Sequence, residues 1–443
     1  MRKALILAAG LLLLAGCLQS EHDDQARDDG PDDAGTEQTD DSTPAPEDDA
    51  QEPRVDDQDG TEIQAPGEDV DPGVAANSVS DFGIDFFHGL VANEPSGNVI
   101  SSPFSAAMFL MMFLEGADGE TREAIADVLH LEDPYDDHLI ASFQALAAHM
   151  IDADPDVELS IANALWANEQ MQFENEYRDA MVERFRAAIE TRDLGSQETA
   201  DEIDRWVSEQ TQERIDGVAD DLELPNPMTL MVVANATYFL GNWTDPFDPD
   251  DTVDGAFHRE DGESVTVPKM KDFANFSFAD HDDFTMLRLP YGESERFAMD
   301  FILPGSAGDI AGFSQSLERD DWQEAAQNLQ ERPVEVSIPT FELEYDTGQQ
   351  LPELLSELGM GVAFDESADF TRMSQDATWM GDVIQKTYLR VDEEGTEAAA
   401  VTAGDMPVSE PPSFSLDRSF VTVISDTETD TILFLGQVTD PSE

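Results

Sequence analysis

The sequence predicts an α+β domain over residues 73–443, with helices concentrated in its first half and strands in its second. Three observations predict it. Apolar periodicity begins near residue 73 and runs to the end with no second linker and no internal repeat. The first half carries helical spacing, with strands interposed. The second half carries runs of β-branched and aromatic residues bounded by turn-forming residues.

Taken in order, Val79, Phe82, Phe86 and Leu90 fall on one face of a helix. Phe104 to Leu114 is almost wholly apolar, so as a helix it is expected to be buried all round. Asp118 to Leu129 reads as a surface helix, with acids early and Ile125, Val128 and Leu129 inward. Thr199-Ala200-Asp201-Glu202 has capping-box spacing, followed by Ile203, Trp206 and Val207 at core-facing positions. The expected strands are Met228–Leu240, Phe297–Leu303, Val334–Leu343, Val383–Val391, Phe420–Ser425 and Ile432–Val438.

Residues 18–72 are a different material, rich in Asp, Glu, Gly, Pro, Gln, Ser and Thr and without aromatics. Such a segment buries too little apolar surface to offset its ordering entropy, so a disordered acidic tether is expected. At ~5–6 Å × √n it reaches roughly 40 Å, and further with charge repulsion. The first 17 residues read as an export signal, with Arg2 and Lys3 ahead of a short apolar run from Ala4 to Leu14. Leu14-Ala15-Gly16-Cys17 is similar to the lipobox of bacterial-type lipoproteins. That likeness implies cleavage before Cys17, lipidation of Cys17, and an extracellular protein anchored to the membrane's outer face. Cys17 is the sole cysteine, so no internal disulfide forms.

With 98 Asp plus Glu against 22 Lys plus Arg, the net charge is −76, which repels nucleic acid and anionic membrane surfaces. A carboxylate-rich, Lys-poor surface fits a halophile-like protein whose self-repulsion is screened by salt.

The signatures of catalysis are missing from the sequence. It has no Gly-rich phosphate loop, no His-Glu-x-x-His and no Gly-x-Ser-x-Gly elbow. Its seven histidines are scattered and share no metal-ligand spacing. Asp152, Asp154 and Asp156 alternate like the start of a calcium loop, but Val157 stands where that loop needs Gly. Neither enzyme, metal nor cofactor is expected.

The informative stretch is Val391-Asp392-Glu393-Glu394-Gly395-Thr396-Glu397-Ala398-Ala399-Ala400-Val401-Thr402-Ala403. Successive strand residues face opposite sides. Thr396, Ala398, Ala400, Thr402 and Gly404 therefore share a small, uncharged face, while Glu397 and Asp405 lie on the other. A segment that must enter a packed sheet needs such a face.

Glu394 to Ala400 closely resembles the reactive-loop hinge of inhibitory serpins. Four further blocks resemble the family in order. Asn98-Val99-Ile100-Ser101-Ser102-Pro103-Phe104-Ser105 is similar to the start of its buried helix. Val233-Ala234-Asn235-Ala236-Thr237-Tyr238-Phe239-Leu240-Gly241-Asn242-Trp243 is similar to a central strand and its terminal Trp. Val336–Leu343, Leu358-Gly359-Met360 and Ala368-Asp369-Phe370 resemble the run before the loop. Phe420–Ile424, Leu433-Phe434-Leu435-Gly436 and Pro441 resemble the closing hairpin.

The resemblance implies the serpin fold: helices around a large central mixed sheet, two further sheets and an exposed reactive loop at about 395–412. It also implies a monomer that acts once. A serine-type protease attacks the loop and forms an acyl-enzyme, and the hinge (Glu394, Gly395, Thr396, Glu397, Ala398, Ala399, Ala400) then enters the sheet and drags the protease with it. Strand insertion of this kind is a recognised mode of switching.

The downstream anchor Pro411-Pro412 places the cut between Val408 and Ser409, whereas counting from Gly395 places it after Ser409. Val408 suits the shallow pocket of an elastase-like or subtilisin-like protease, with Met406 and Ser409 as alternatives. The resemblance further assigns Ser102, Asn235, Trp243, Gln385 and Lys386 to the region where the sheet opens, with Gln385 where many members carry His. Two other readings compete: a non-inhibitory serpin acting as protease substrate or surface binding module, and a solute-binding lipoprotein.

Overall fold

The computed structural model describes residues 70–150, 153–185, 187–215, 217–348, 350–375, 379–380, 383–393 and 412–442. The signal, Cys17, the tether, the hinge from Glu394 to Ala400 and the Val408–Ser409 bond lie outside the described residues.

The described helices are α1 (Gly73–Asn93), α2 (Pro103–Gly116), α3 (Gly119–Val128), α4 (Asp137–Met150), α5 (Asn175–Phe185), α6 (Gln197–Gln210), α7 (Val218–Asp221), α8 (Ile310–Ser316), α9 (Arg319–Gln327) and α10 (Gln350–Leu355). The strands of the first half are β1 (Val99–Ser101), β2 (Val157–Asn168), β3 (Ala188–Arg192) and β4 (Met231–Gly241). Those that follow are β5 (Val253–His258), β6 (Ser264–Asp280), β7 (Phe284–Tyr291), β8 (Phe297–Pro304), β9 (Gln330–Pro339), β10 (Phe341–Asp346), β11 (Val383–Val391), β12 (Ser413–Ser415), β13 (Phe420–Asp426) and β14 (Thr431–Val438).

The expected buried helix is α2, in which every residue is buried. Its start is fixed locally. Pro103 stands at the first turn, where its missing N–H costs nothing, and the Ser102 side chain caps the Ser105 amide. α1 packs beside it, with Phe82 and Phe86 stacked at 5.4 Å. In α3, Ile125 and Val128 are buried as expected, as is Leu129 just beyond its end. The capping-box reading at Thr199 is corrected. α6 begins three residues earlier, Ser196 is the cap, and Glu202 instead pairs with Arg192 at 3.1 Å. Ile203 and Val207 are buried, while Trp206 is only partly so and meets Trp166 edge-on at 5.2 Å.

Five strands form a mixed sheet in the order β10-β11-β4-β2-β3. Its central strand β4 is buried on both faces. Val233 and Phe239 point into the core that holds α1 and α2, whereas Val232, Ala234, Ala236 and Tyr238 point into a second core with Ile203 and Val207 of α6. The two further sheets are continuous, joined through the long β6. β5 pairs with its first residues, β9 runs along most of the rest with β12 on β9's far edge, and β7, β8, β13, β14 and β1 follow from its end. The single strand expected at Val334–Leu343 is in fact two. β9 ends at Pro339, and Phe341 begins β10 in the other sheet. Thr340 carries the crossing, with its amide bonded to the Pro268 carbonyl at 3.1 Å.

Candidate functional site at the seam of the five-stranded sheet

β4 and β11 pair directly and in parallel, from Val383 opposite Val233 to Leu389 opposite Phe239. This register sets Gln385 beside Asn235, and the antiparallel pairing of β2 sets Asn163 on Asn235's other side. Three amides therefore form one row across three strands. Asn235 donates to Asn163 Oδ1 at 2.7 Å, and Gln385 Nε2 donates to Asn235 Oδ1 at 3.2 Å.

Beneath the row sits the start of α2. Asn235 Nδ2 reaches Ser105 Oγ at 2.6 Å, Gln385 Nε2 reaches the Ser102 carbonyl at 3.2 Å, and Ser102 Oγ donates to the Leu433 carbonyl at 2.8 Å. All five side chains are buried. The backbone of Gln385 is held as well, by exchange with Thr347.

Both contacts of Gln385 Nε2 are acceptors, so the amide orientation is determined. That leaves Oε1 buried with no partner among the described residues. Gln385 and Asn235 also line a cavity of about 10 Å³, shared with Phe82, Phe86, Phe109 and Ile384, a space of roughly one water. The seam is thus polar, incompletely satisfied and slightly under-packed at one point.

Lys386 points to the opposite face of the sheet. Its Nζ lies 2.7 Å from Asp221 and 3.5 Å from Asp346. Burial works against its charge, but the two carboxylates outweigh burial and hold it above the ordinary lysine value. Burial pushes Asp346 up despite this partner, and the Asp221 carboxylate adds to the push.

Trp243 lies at the far end of the seam, stacked on Tyr291 at 4.3 Å, with Nε1 donating to the Asp392 carbonyl at 2.8 Å. Thr252 donates to Glu393 at 2.6 Å. The chain leaving β11 is therefore tied down before it passes into the hinge sequence.

The structure thus gathers Ser102, Asn235 and Gln385 into one network, and sets Lys386 across the sheet and Trp243 at its end. Sequence reasoning missed Asn163, Thr347 and the role of Ser105. A lone Asn within the apolar run Ile161-Ala162-Asn163-Ala164-Leu165-Trp166 was the available signal for the first.

This fold, with its parallel seam and following small-residue segment, defines a class of protein, and comparison identifies it. A profile described as "Serpin (serine protease inhibitor)" matches residues 77–441, and the chain belongs to that family. An uncharacterized serpin-like protein of Thermococcus kodakarensis is 34% identical over 83% of this chain and 86% of its own length. The leukocyte elastase inhibitor of Xenopus tropicalis is 31% identical over 83% of this chain and 99% of its own. The solved structure of native protease nexin-1 with heparin shares the fold, with a TM-score of 0.75 at 24% identity over 84% of this chain and all of that one. The family is one of protease inhibitors rather than catalysts.

Proposed function

We propose that the protein is a single-use inhibitor of an extracellular serine-type protease, elastase-like or subtilisin-like, held outside the cell by lipidated Cys17 and spaced from the membrane by residues 18–72. One observation carries the reading. β4 and β11 pair in parallel with nothing between them, and the chain leaving β11 runs into a segment with a small, uncharged face. That segment reverses after β11 and enters antiparallel to both strands, replacing one parallel pairing by two antiparallel ones, which are slightly stronger per residue. Its small face, Thr396, Ala398, Ala400, Thr402 and Gly404, is free of the bulk and charge that entry into a buried sheet excludes.

Cleavage after Val408 leaves the protease esterified through its serine to the Val408 carbonyl, and insertion carries it away before water releases it. The elastase inhibitors among the relatives support the choice of a protease that accepts a small side chain. Gln385, a neutral amide, holds the seam shut without a titratable group. The test is to mix the mature protein in high salt with an elastase-like and a subtilisin-like protease. The expected result is a band at the summed mass that survives denaturant, and a released peptide beginning at Ser409. Cleavage near 408 with the protease still active contradicts inhibition and leaves a protease substrate or surface binding module.

A further inference from the structure

The reactive segment starts and finishes at one end of the five-stranded sheet. Val391, where it leaves, pairs with Phe341. β12, where it lands, pairs with β9 as far as Ser415 opposite Ser337. Ser337 and Phe341 are separated by only ~13 Å of extended chain. A strand from Thr396 to Val408 runs ~43 Å down the sheet. If the chain is uncut, Ser409 to Pro412 must return over that distance, yet they reach at most roughly 14 Å. An intact loop therefore enters the sheet only if β12 lets go. What holds β12 decides how long the bait stays presented.

β12 has only three residues, and its main-chain ties to β9 end with the Glu335 amide on the Pro412 carbonyl at 3.0 Å and the Leu416 amide on the Ser337 carbonyl at 2.9 Å. Just past its last residue the structure places a lysine inside the protein. Lys269 of β6 is 3% exposed, and its Nζ donates to the Leu416 carbonyl at 3.0 Å. The neighbouring strand is shaped for it. Gly255 of β5 lies against the Lys269 stem, and a Cβ there meets Lys269 Cδ at 2.9 Å. Burial works against this ammonium, the Asp417 carboxylate only partly offsets it, and its hydrogen bond goes to a neutral carbonyl; an apolar side chain of similar size carries no such burial cost.

We propose that Lys269 is a positioning residue. It clasps the downstream anchor of the reactive loop and keeps the uncleaved loop out of the sheet. The clasp sacrifices global stability for the lifetime of the exposed loop. This inference rests on the inhibitory reading for its purpose, but its test does not depend on inhibition.

The experiment incubates the full-length mature protein and its Lys269→Met variant. It follows, over time, the fraction of intact chains whose 395–411 segment a broad-specificity protease still cuts, by mass. Denaturant unfolding and hydrogen exchange of the 413–416 amides are measured on the same samples. The variant is expected to lose the accessible loop faster by roughly tenfold or more, the size of one hydrogen bond to a charged group. It is also expected to unfold no earlier than wild type, and to exchange 413–416 faster while β13 and β14 are unchanged. Loss of accessibility at the wild-type rate, or loss only in step with earlier unfolding, overturns the clasp. If the variant proves too poorly folded, unchanged 413–416 exchange in Gly255→Ala, which presses on the Lys269 stem, overturns it as well. A wild-type protein whose loop is cut without trapping protease contradicts the inhibitory reading and leaves the clasp standing.

Discussion

Two strand pairs in this molecule are built on opposite principles. In the nine-stranded sheet, Arg288 of β7 grips Asp300 of β8 through two 2.7 Å bonds, and Trp322 adds a third at 2.8 Å. One strand on, Arg296 holds Asp426 of β13 at 2.8 Å. Both acids are fully buried. At the seam of the five-stranded sheet the side-chain ties on the helix face are neutral amides and hydroxyls, the pairing is parallel, and Gln385 Oε1 has no partner among the described residues. Charged, bidentate pairs are the strong kind of hydrogen bond, and neutral ones are about half as strong. One sheet is locked and the other is latched, so a strand is expected to enter only the second.

The largest effect lies on the locked side. Asp300→Ala strands a buried guanidinium and is expected to cost roughly 3–5 kcal/mol in denaturant unfolding, with the rate of loop insertion unchanged. Asn235→Ala removes the centre of the amide row, and its expected cost is about 1–3 kcal/mol. Its distinguishing sign is faster hydrogen exchange in β4 and β11 but not in β8 and β13. Equal acceleration in both sheets would erase the contrast.

Gln385→His sharpens the comparison. Burial disfavours the imidazolium and depresses the histidine pKa in the closed seam. Stability contributed by the neutral ring is therefore present above the unfolded value of ~6.5 and lost as pH falls through the depressed value. Seam opening in this variant is expected to accelerate with acidification, while wild type stays flat across the same range. The smallest effect belongs to Lys386→Met, because Asp221 is 39% exposed and solvent screens the pair. Lys386 is held above its ordinary value. Its contribution is thus complete below ~10.5 and is lost only as pH rises beyond that. The difference between wild type and variant in denaturant midpoint should be constant near neutrality and close only in alkali.

Much of this was legible in the sequence where local chemistry decides. α2 declared itself because an unbroken apolar run tolerates no solvent face, and the structure buries every residue of it. The break at Thr340 was hidden, since Val334 to Leu343 satisfies a strand pattern throughout and only the existence of two sheets divides it. The cap of α6 was misplaced because Ser196 and Thr199 both offer a hydroxyl three residues before a bonded amide or acid. Asn163 was missed because its partner Asn235 lies far along the chain, and register alone brings them together. Lys269 was invisible for the same reason, because a lysine reads as surface until Leu416 is folded over it.

The most direct test of the account is the unfolding of intact protein against protein cut once in the 395–411 segment, in the same denaturant series. If the seam opens to take the segment as a new strand, the cut chain stays folded at concentrations that unfold the intact one. A cut chain that unfolds at or below the midpoint of the intact chain contradicts the account.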